Sequence, residues 1–544
     1  MTPTPFRTAA LALSFAVVGG AVAAQSPAWI TFQNQTSTRL PTSAAFSSDP
    51  DEKDFCWGDV DNDGDLDLID CQKNDVYGNV SARTHRLLLN TGGQLIEASS
   101  TYAADFALNP SIARLGITGD FTGDGWIDLV VVNTNDAGFG STTQNQLHFY
   151  RNLGNNVSGQ WLGFTFDTTG RFPQYTAPYA RFCAGDKADF DQDGDLDLYL
   201  GDYNNSLEDV LLFNDGLGNF TDVTASRIPG GASSGFSVEI QVGDFNGDGW
   251  PDLARSDPGS VMVRINNGAG FFMATSSPPA PGTYTLAVGD LNNDGLADIY
   301  QGRDGEDGYD LNTTTGIGSQ NVTFSSFTMT QSLGTGGFAG NATVVDMDND
   351  GFKDIVMGDI DVDVPGCNRH ATVMRNSPNA PILLSSPWTS VQPWHTNGTH
   401  DIAVLDLNGD GLQDMIYAKC IGYSAWIQQA PPMLLSLTEP QPGALNIGVS
   451  FAPANAPLFN LSSLVQLPTP GLGPFFGLDA SAFTLFAAFY PSEPFVGFSS
   501  PAGEYSYAFP AGTFPQTIPW TWQMRTVAFA GGSFVLSNVV TATF

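Results

Sequence analysis

A nine-residue pattern, D-x-[DNT]-x-D-G-x-x-D, occurs seven times in this chain, starting at Asp59, Asp120, Asp189, Asp244, Asp290, Asp346 and Asp406. Successive copies begin 46 to 69 residues apart. A period of that size marks a repeat architecture, in which each copy is one supersecondary unit that stacks on its neighbours. The pattern constrains fold, metal and compartment together. It constrains the biological task much less.

Each copy reads as a calcium loop. Calcium takes six to eight oxygens in a flexible cage. In the first copy Asp59, Asp61, Asp63 and Asp67 offer carboxylates, Asp65 a backbone carbonyl, and Gly64 the sharp turn. The third copy repeats the set with Asp189, Asp191, Asp193, Asp195 and Asp197, and the sixth with Asp346, Asp348, Asp350 and Asp354. The second donor is an amide in Asp244-Asn246-Asp248-Asp252, in Asp290-Asn292-Asp294-Asp298 and in Asp406-Asn408-Asp410-Asp414. In the second copy, Asp120-Thr122-Asp124-Asp128, it is a hydroxyl, which makes that site the least avid. An EF-hand is excluded, because it needs a bidentate Glu at loop position twelve and flanking helices. No copy has Glu there, and strand-like runs such as LDLID and IDLVVV follow the loops.

The charge balance agrees. Four carboxylates in each of three copies and three in each of the other four make 24 of the 56 Asp and Glu. Packed together without a counter-ion they repel and raise each other's pKa. Seven structural Ca²⁺ ions would bring the net charge from −36 to −22.

A second element follows each loop, as in VLLFNDGLGNFTDVTA from Val210: a strand, a Gly/Asn turn and another strand. About four short strands per repeat result. Residue by residue the repeat resembles the FG-GAP/VCBS repeat, of the same broad class as integrin α-subunit heads. That resemblance implies a calcium loop joining the first two strands of a propeller blade. Seven copies then predict an all-β, seven-bladed β-propeller over residues 25–429, with a six- or eight-bladed ring as the alternative. The seventh repeat breaks into APPM after its third strand, so the segment Trp29 to Phe46 is expected to complete that blade.

The first 24 residues read as a secretory signal peptide, with Arg7 ahead of an Ala-rich apolar stretch. The mature chain is therefore expected to be secreted, or exported and surface-associated, with no transmembrane segment. Of five cysteines, Cys56 and Cys71 could pair across the first loop and Cys367 with Cys420, leaving Cys183; all five as thiols is the alternative. From residue 430 to 544 charge falls away and Pro, Gly and Phe alternate with short β-rich runs, which predicts a separate β-sandwich-like domain.

A ligand is expected on the face away from the calcium loops, where functional residues ride on loops held by the scaffold. Candidates are the loop Arg171 to Phe182, together with Tyr203, Arg303, Trp388, Trp394 and His395, a set suited to sugar rings; aromatics plugging gaps between blades are the plainer reading. The expected function is a binding or adhesion module for an extracellular glycan or protein. A propeller-based polysaccharide lyase or hydrolase is the alternative, with no catalytic residue assigned. Only 20 Lys and Arg are present, which argues against nucleic acid as a partner.

Overall fold

The computed structural model describes residues 30–73, 82–133, 147–175, 182–203, 208–229, 237–257, 260–276, 278, 283–303, 307–329, 338–349, 351–360, 371–376 and 398–429. Beyond these it describes 434–438, 445–450, 455–463, 496–500, 503–509, 521–530, 533–536 and 540–543. Residues 31–429 form seven antiparallel sheets. Each sheet is one repeat. In blade one the strands run Lys53–Gly58, Asp67–Gln72, Arg86–Asn90 and Leu95–Glu97, in that order across the sheet. The acidic loop always joins the first strand to the second, so the seven loops share one face.

The first strands are Lys53–Gly58, Ala113–Gly119, Phe182–Ala188, Ile240–Gly243, Thr283–Gly289, Phe338–Val345 and Thr399–Leu405. Each touches the first strand of the blade before and the blade after, and the seventh touches the first. The ring is therefore closed, and the fold is a seven-bladed β-propeller. The second strands are buried along nearly their whole length, because each blade packs on both faces; Asp128–Asn133 and Asp197–Asp202 have no exposed residue.

Thr31–Asn34 takes the outermost place in blade seven, antiparallel to Tyr423–Gln429, with Thr31 opposite Gln429 and Asn34 opposite Trp426. The first described strand thus lies beside the propeller's last, which joins the ring. Blade six shows three strands among the described residues. Past residue 430 the described strands form two antiparallel sheets, one of three strands and one of five.

The cysteines depart from one expectation. Cys56 and Cys71 are buried and not bonded to each other. Cys56 stands opposite Ile69 and Cys71 opposite Asp54, so the two are diagonal neighbours. Each side chain packs against Gly116 of blade two. Cys420 is disulfide-bonded. Cys367 lies outside the described residues.

Candidate metal centres and the opposite face

Each acidic loop is shaped by two left-handed residues. Position four is Asn62, Gly123, Gln192, Gly247, Asn293, Asn349 or Gly409, and position six is the invariant Gly of the pattern; all fourteen have positive φ. Asn, Gly and a short amide-bearing side chain tolerate that region best. The turn folds the position-six N–H onto the first aspartate at 2.7–3.0 Å in all seven loops, as with Gly64 on Asp59 and Gly411 on Asp406. The apolar second residue (Val60, Phe121, Phe190, Phe245, Leu291, Met347 or Leu407) is fully buried and pins the loop to the core.

The ninth position is fully buried in every copy: Asp67, Asp128, Asp197, Asp252, Asp298, Asp354 and Asp414. One oxygen accepts the N–H of a residue at or just beside the end of its own third strand at 2.7–2.9 Å, from Asn90, Asn152, Asn214, Asn266, Asn312, Asn376 and Gln428 in turn. The other oxygen accepts the N–H of the loop's buried second residue at 2.8–3.2 Å. Burial pushes Asp67, Asp128, Asp197, Asp252, Asp298 and Asp414 up to about 7 against these hydrogen bonds.

Three loops bring three carboxylates together, with ligand atoms within 4.8 Å of one another: Asp59-Asp61-Asp67, Asp189-Asp191-Asp197 and Asp346-Asp348-Asp354. Such all-oxygen groups fit a hard divalent cation. The oxygens are mutually repulsive as they stand. Burial, with the charge of Asp63, raises Asp61, and burial, with the charge of Asp193, raises Asp191. In blade six the Arg375 guanidinium sits on Asp348 at 2.6 Å. In the amide loops the second donor also holds the fifth residue: Asn246 donates to Asp248, Asn292 to Asp294 and Asn408 to Asp410, at 2.9–3.0 Å. Thr122 donates its hydroxyl to Asp128 at 3.1 Å. Asp120, Asp124, Asp244, Asp290, Asp406 and Asp410 keep their loop positions. Asp350 lies outside the described residues.

The amides at the third-strand ends do more than shape the turns. Each reaches the preceding blade's loop: Asn90 to the Leu407 carbonyl, Asn152 to Val60, Asn214 to Phe121, Asn266 to Phe190, Asn312 to Phe245, Asn376 to Leu291 and Gln428 to Met347. Seven latches thus run once around the ring. The signal was present as RN, FN, IN, LN and IQ at each strand end.

On the opposite face the sequence candidates divide. Trp388, Trp394 and His395 lie outside the described residues. Arg303 is buried, with Nε on the Gln301 side-chain oxygen at 3.0 Å, so it belongs to the blade interior. Tyr203 is half-buried and close enough to Arg114 to raise it electrostatically. The first half of the Arg171–Phe182 loop separates two clefts in the outer half of blades two and three. One, about 420 Å³, is lined by His148, Phe166, Thr168, Phe172 and Gln174. The other, about 580 Å³, is lined by Tyr175, Phe182, Glu208, Asp222 and Ser226. Tyr175 donates to Asp222 at 3.2 Å.

Among the described residues no helix is long and apolar enough to cross a membrane. The FG-GAP-like repeat family matches residues 189–255 and 244–300, which are the third, fourth and fifth loops with their strands. Human integrin alpha-7 is 40% identical over 86 residues, 13% of this chain and 7% of that protein. The chain therefore covers a small part of that relative's length. Among solved structures, an Agrocybe aegerita lectin that recognises non-reducing terminal N-acetylglucosamine aligns over 70% of this chain and 89% of its own, at 17% identity and a TM-score of 0.42. A chain of the Photorhabdus luminescens Tc holotoxin pore aligns over 85% of this chain and 21% of its own, at 12% identity and a TM-score of 0.32. Residues 189–300 thus match FG-GAP-like repeats, set in a seven-bladed β-propeller, and an 86-residue stretch is similar to an integrin α-subunit.

Proposed function

We propose that the chain is an exported, calcium-stabilised binding module that recognises an extracellular glycan or protein. The observation that carries this reading is the pair of clefts beside the blade two–three link. Their volumes fall in the range of small-ligand sites. Aromatic rings, with Glu208 and Asp222 beside Tyr175, offer an apolar surface and hydrogen-bond acceptors together, as a sugar ring requires. The metal loops serve the scaffold. Their donors are carboxylate, amide and carbonyl oxygens, which suit calcium, and an ion bound there would offset carboxylate repulsion at the loop. Export rests on residues 1–24, and the region 430–544 is proposed as an accessory β-rich domain.

The test is a screen of calcium-loaded protein against glycan and matrix-protein arrays, repeated with Tyr175→Ala. Binding that falls at least tenfold in the variant, with the thermal midpoint retained, supports the reading. A protein that binds nothing, or binds equally well without Tyr175, defeats it.

A further inference from the structure

The fourth loop position is left-handed in every blade, and in some blades its side chain reaches out of the loop. Asn293 of the fifth loop donates Nδ2 to the Gly351 carbonyl of the sixth at 2.9 Å. Asn349 of the sixth donates Nδ2 to the Gly411 carbonyl of the seventh at 3.1 Å. Asn62 of the first reaches the Gly125 carbonyl of the second at a longer 3.4 Å. The second, fourth and seventh loops carry Gly123, Gly247 and Gly409 at that position and have no side chain to extend. The fifth, sixth and seventh loops therefore form a run joined by two hydrogen bonds. It stops at both ends, at Gly247 before it and at Gly409 after it.

Both ends of each bond sit among the candidate metal donors. Asn293 lies between Asn292 and Asp294, the third- and fifth-position donors of its loop, and Asn349 lies between Asp348 and Asp350. Each acceptor is the position-six glycine, whose own N–H holds the first aspartate of its loop: Gly351 on Asp346 at 2.9 Å and Gly411 on Asp406 at 2.7 Å. A side chain seated between two donors of one loop thus fixes the residue that orients the first donor of the next. An ion that orders the sixth loop fixes Asn349, and through it Gly411, before the seventh loop binds. Part of the ordering cost of the second site is then already met, which is positive coupling without a change of shape. Such coupling is reciprocal, so the fifth and sixth loops are linked in the same way through Asn293. The amide latches at the third-strand ends run through all seven blades and do not distinguish these three loops.

The chain contains its own control. The fourth, fifth and seventh loops offer one donor set: Asp244-Asn246-Asp248-Asp252, Asp290-Asn292-Asp294-Asp298 and Asp406-Asn408-Asp410-Asp414. Ligand charge tunes calcium affinity, so by their donors alone the three would load together. The sixth loop, where Asp346, Asp348 and Asp354 converge, is the more avid. The fifth and the seventh are each bonded to it, and the fourth has only Gly247 where the link would start.

We propose that the fifth and seventh loops load calcium cooperatively with the sixth, through Asn293 and Asn349. This coupling rests on the reading of the acidic loops as calcium sites. The test is hydrogen-exchange mass spectrometry of the full chain during a calcium titration, read on peptides over residues 244–252, 290–298, 346–354 and 406–414. The fifth and seventh loops should reach half protection at about two- to tenfold less calcium than the fourth, the shift that one hydrogen bond in each link can supply. Asn349→Gly should raise the seventh toward the fourth, and Asn293→Gly should do the same for the fifth. Both asparagines are exposed, with φ of 56° at Asn349 and 57° at Asn293, a conformation that glycine keeps, so neither variant disturbs the core. Fifth and seventh midpoints that coincide with the fourth in the wild type, a comparison that needs no variant, overturn the coupling. So do midpoints that the two variants leave in place. Calcium that protects none of the loops defeats the calcium reading itself, and the coupling with it.

Discussion

At the ninth loop position a single aspartate ties three things together: its own third strand, the buried second residue of its loop, and the oxygen group that fits a cation. Asp252 shows the arrangement, with Asn266 N at 2.7 Å and Phe245 N at 2.9 Å. Asp252→Ala leaves two buried N–H groups unpaired, each of which costs about 1–3 kcal/mol. Urea unfolding should therefore show a loss of about 2–5 kcal/mol, well above that of an exposed turn substitution such as Gln94→Ala. A second residue-scale prediction concerns His85. It is fully buried, with Nε2 on Ser111 Oγ at 2.9 Å and an edge-on contact to Phe106. Burial, then the nearby His148, push it down to about 3, against an ordinary 6.5. The unfolded chain therefore takes up a proton below pH 6.5 that the folded chain refuses, and stability falls as pH drops from 6.5 toward 3. The midpoint of wild type should therefore fall relative to that of His85→Phe as pH drops from 6.5 to 5, the loop aspartates acting alike in both proteins.

At the scale of elements, blades are joined by recurring amide latches as well as by apolar packing. Asn214 donates to the Phe121 carbonyl of the preceding blade at 2.8 Å and orients the turn that follows by accepting from Gly218 N at 3.0 Å. Asn214→Ala should cost about 1–3 kcal/mol in denaturant unfolding. Asn214→Asp should cost at least as much, since it replaces the donor with a buried acceptor facing a carbonyl. The ring's closure depends on the short strand Thr31–Asn34, whose removal exposes the outer edge of Tyr423–Gln429. A chain lacking it should melt lower and aggregate at concentrations where the intact chain stays monodisperse. Much of this level was legible. Alternating apolar runs around Asp-Gly loops gave the strands, and the break after Trp426 pointed to an N-terminal strand in blade seven. The latches were not legible, because each is defined by a partner in another blade, as Asn152 is from Val60 at a separation of 92 and Asn90 from Leu407 at 317. A local pattern shows that an Asn ends the strand, not where its amide points. Arg303 shows the same limit: its position suggests a surface loop, and the structure places it at a strand end against Gln301.

At the scale of the whole molecule the charge distribution is polar. The acidic loops gather on one face, while Lys73, Arg83 and Arg114 lie toward the other, paired with Asp54, Asp51 and Glu52. The loop donors alone account for 24 of the 56 carboxylates, against 20 Lys and Arg in the whole chain. Metal binding and folding should therefore be linked, since ions held by the folded loops stabilise that state by mass action. The loops with three converging carboxylates should fill first, because ligand charge tunes calcium affinity. The most direct test of a metal-stabilised propeller is a calcium titration of the chain, with thermal melting before and after chelation. Several ions per chain and a marked fall in the midpoint on chelation are predicted. No bound calcium and an unchanged midpoint would contradict it, and would reduce the seven loops to plain Asp-Gly turns.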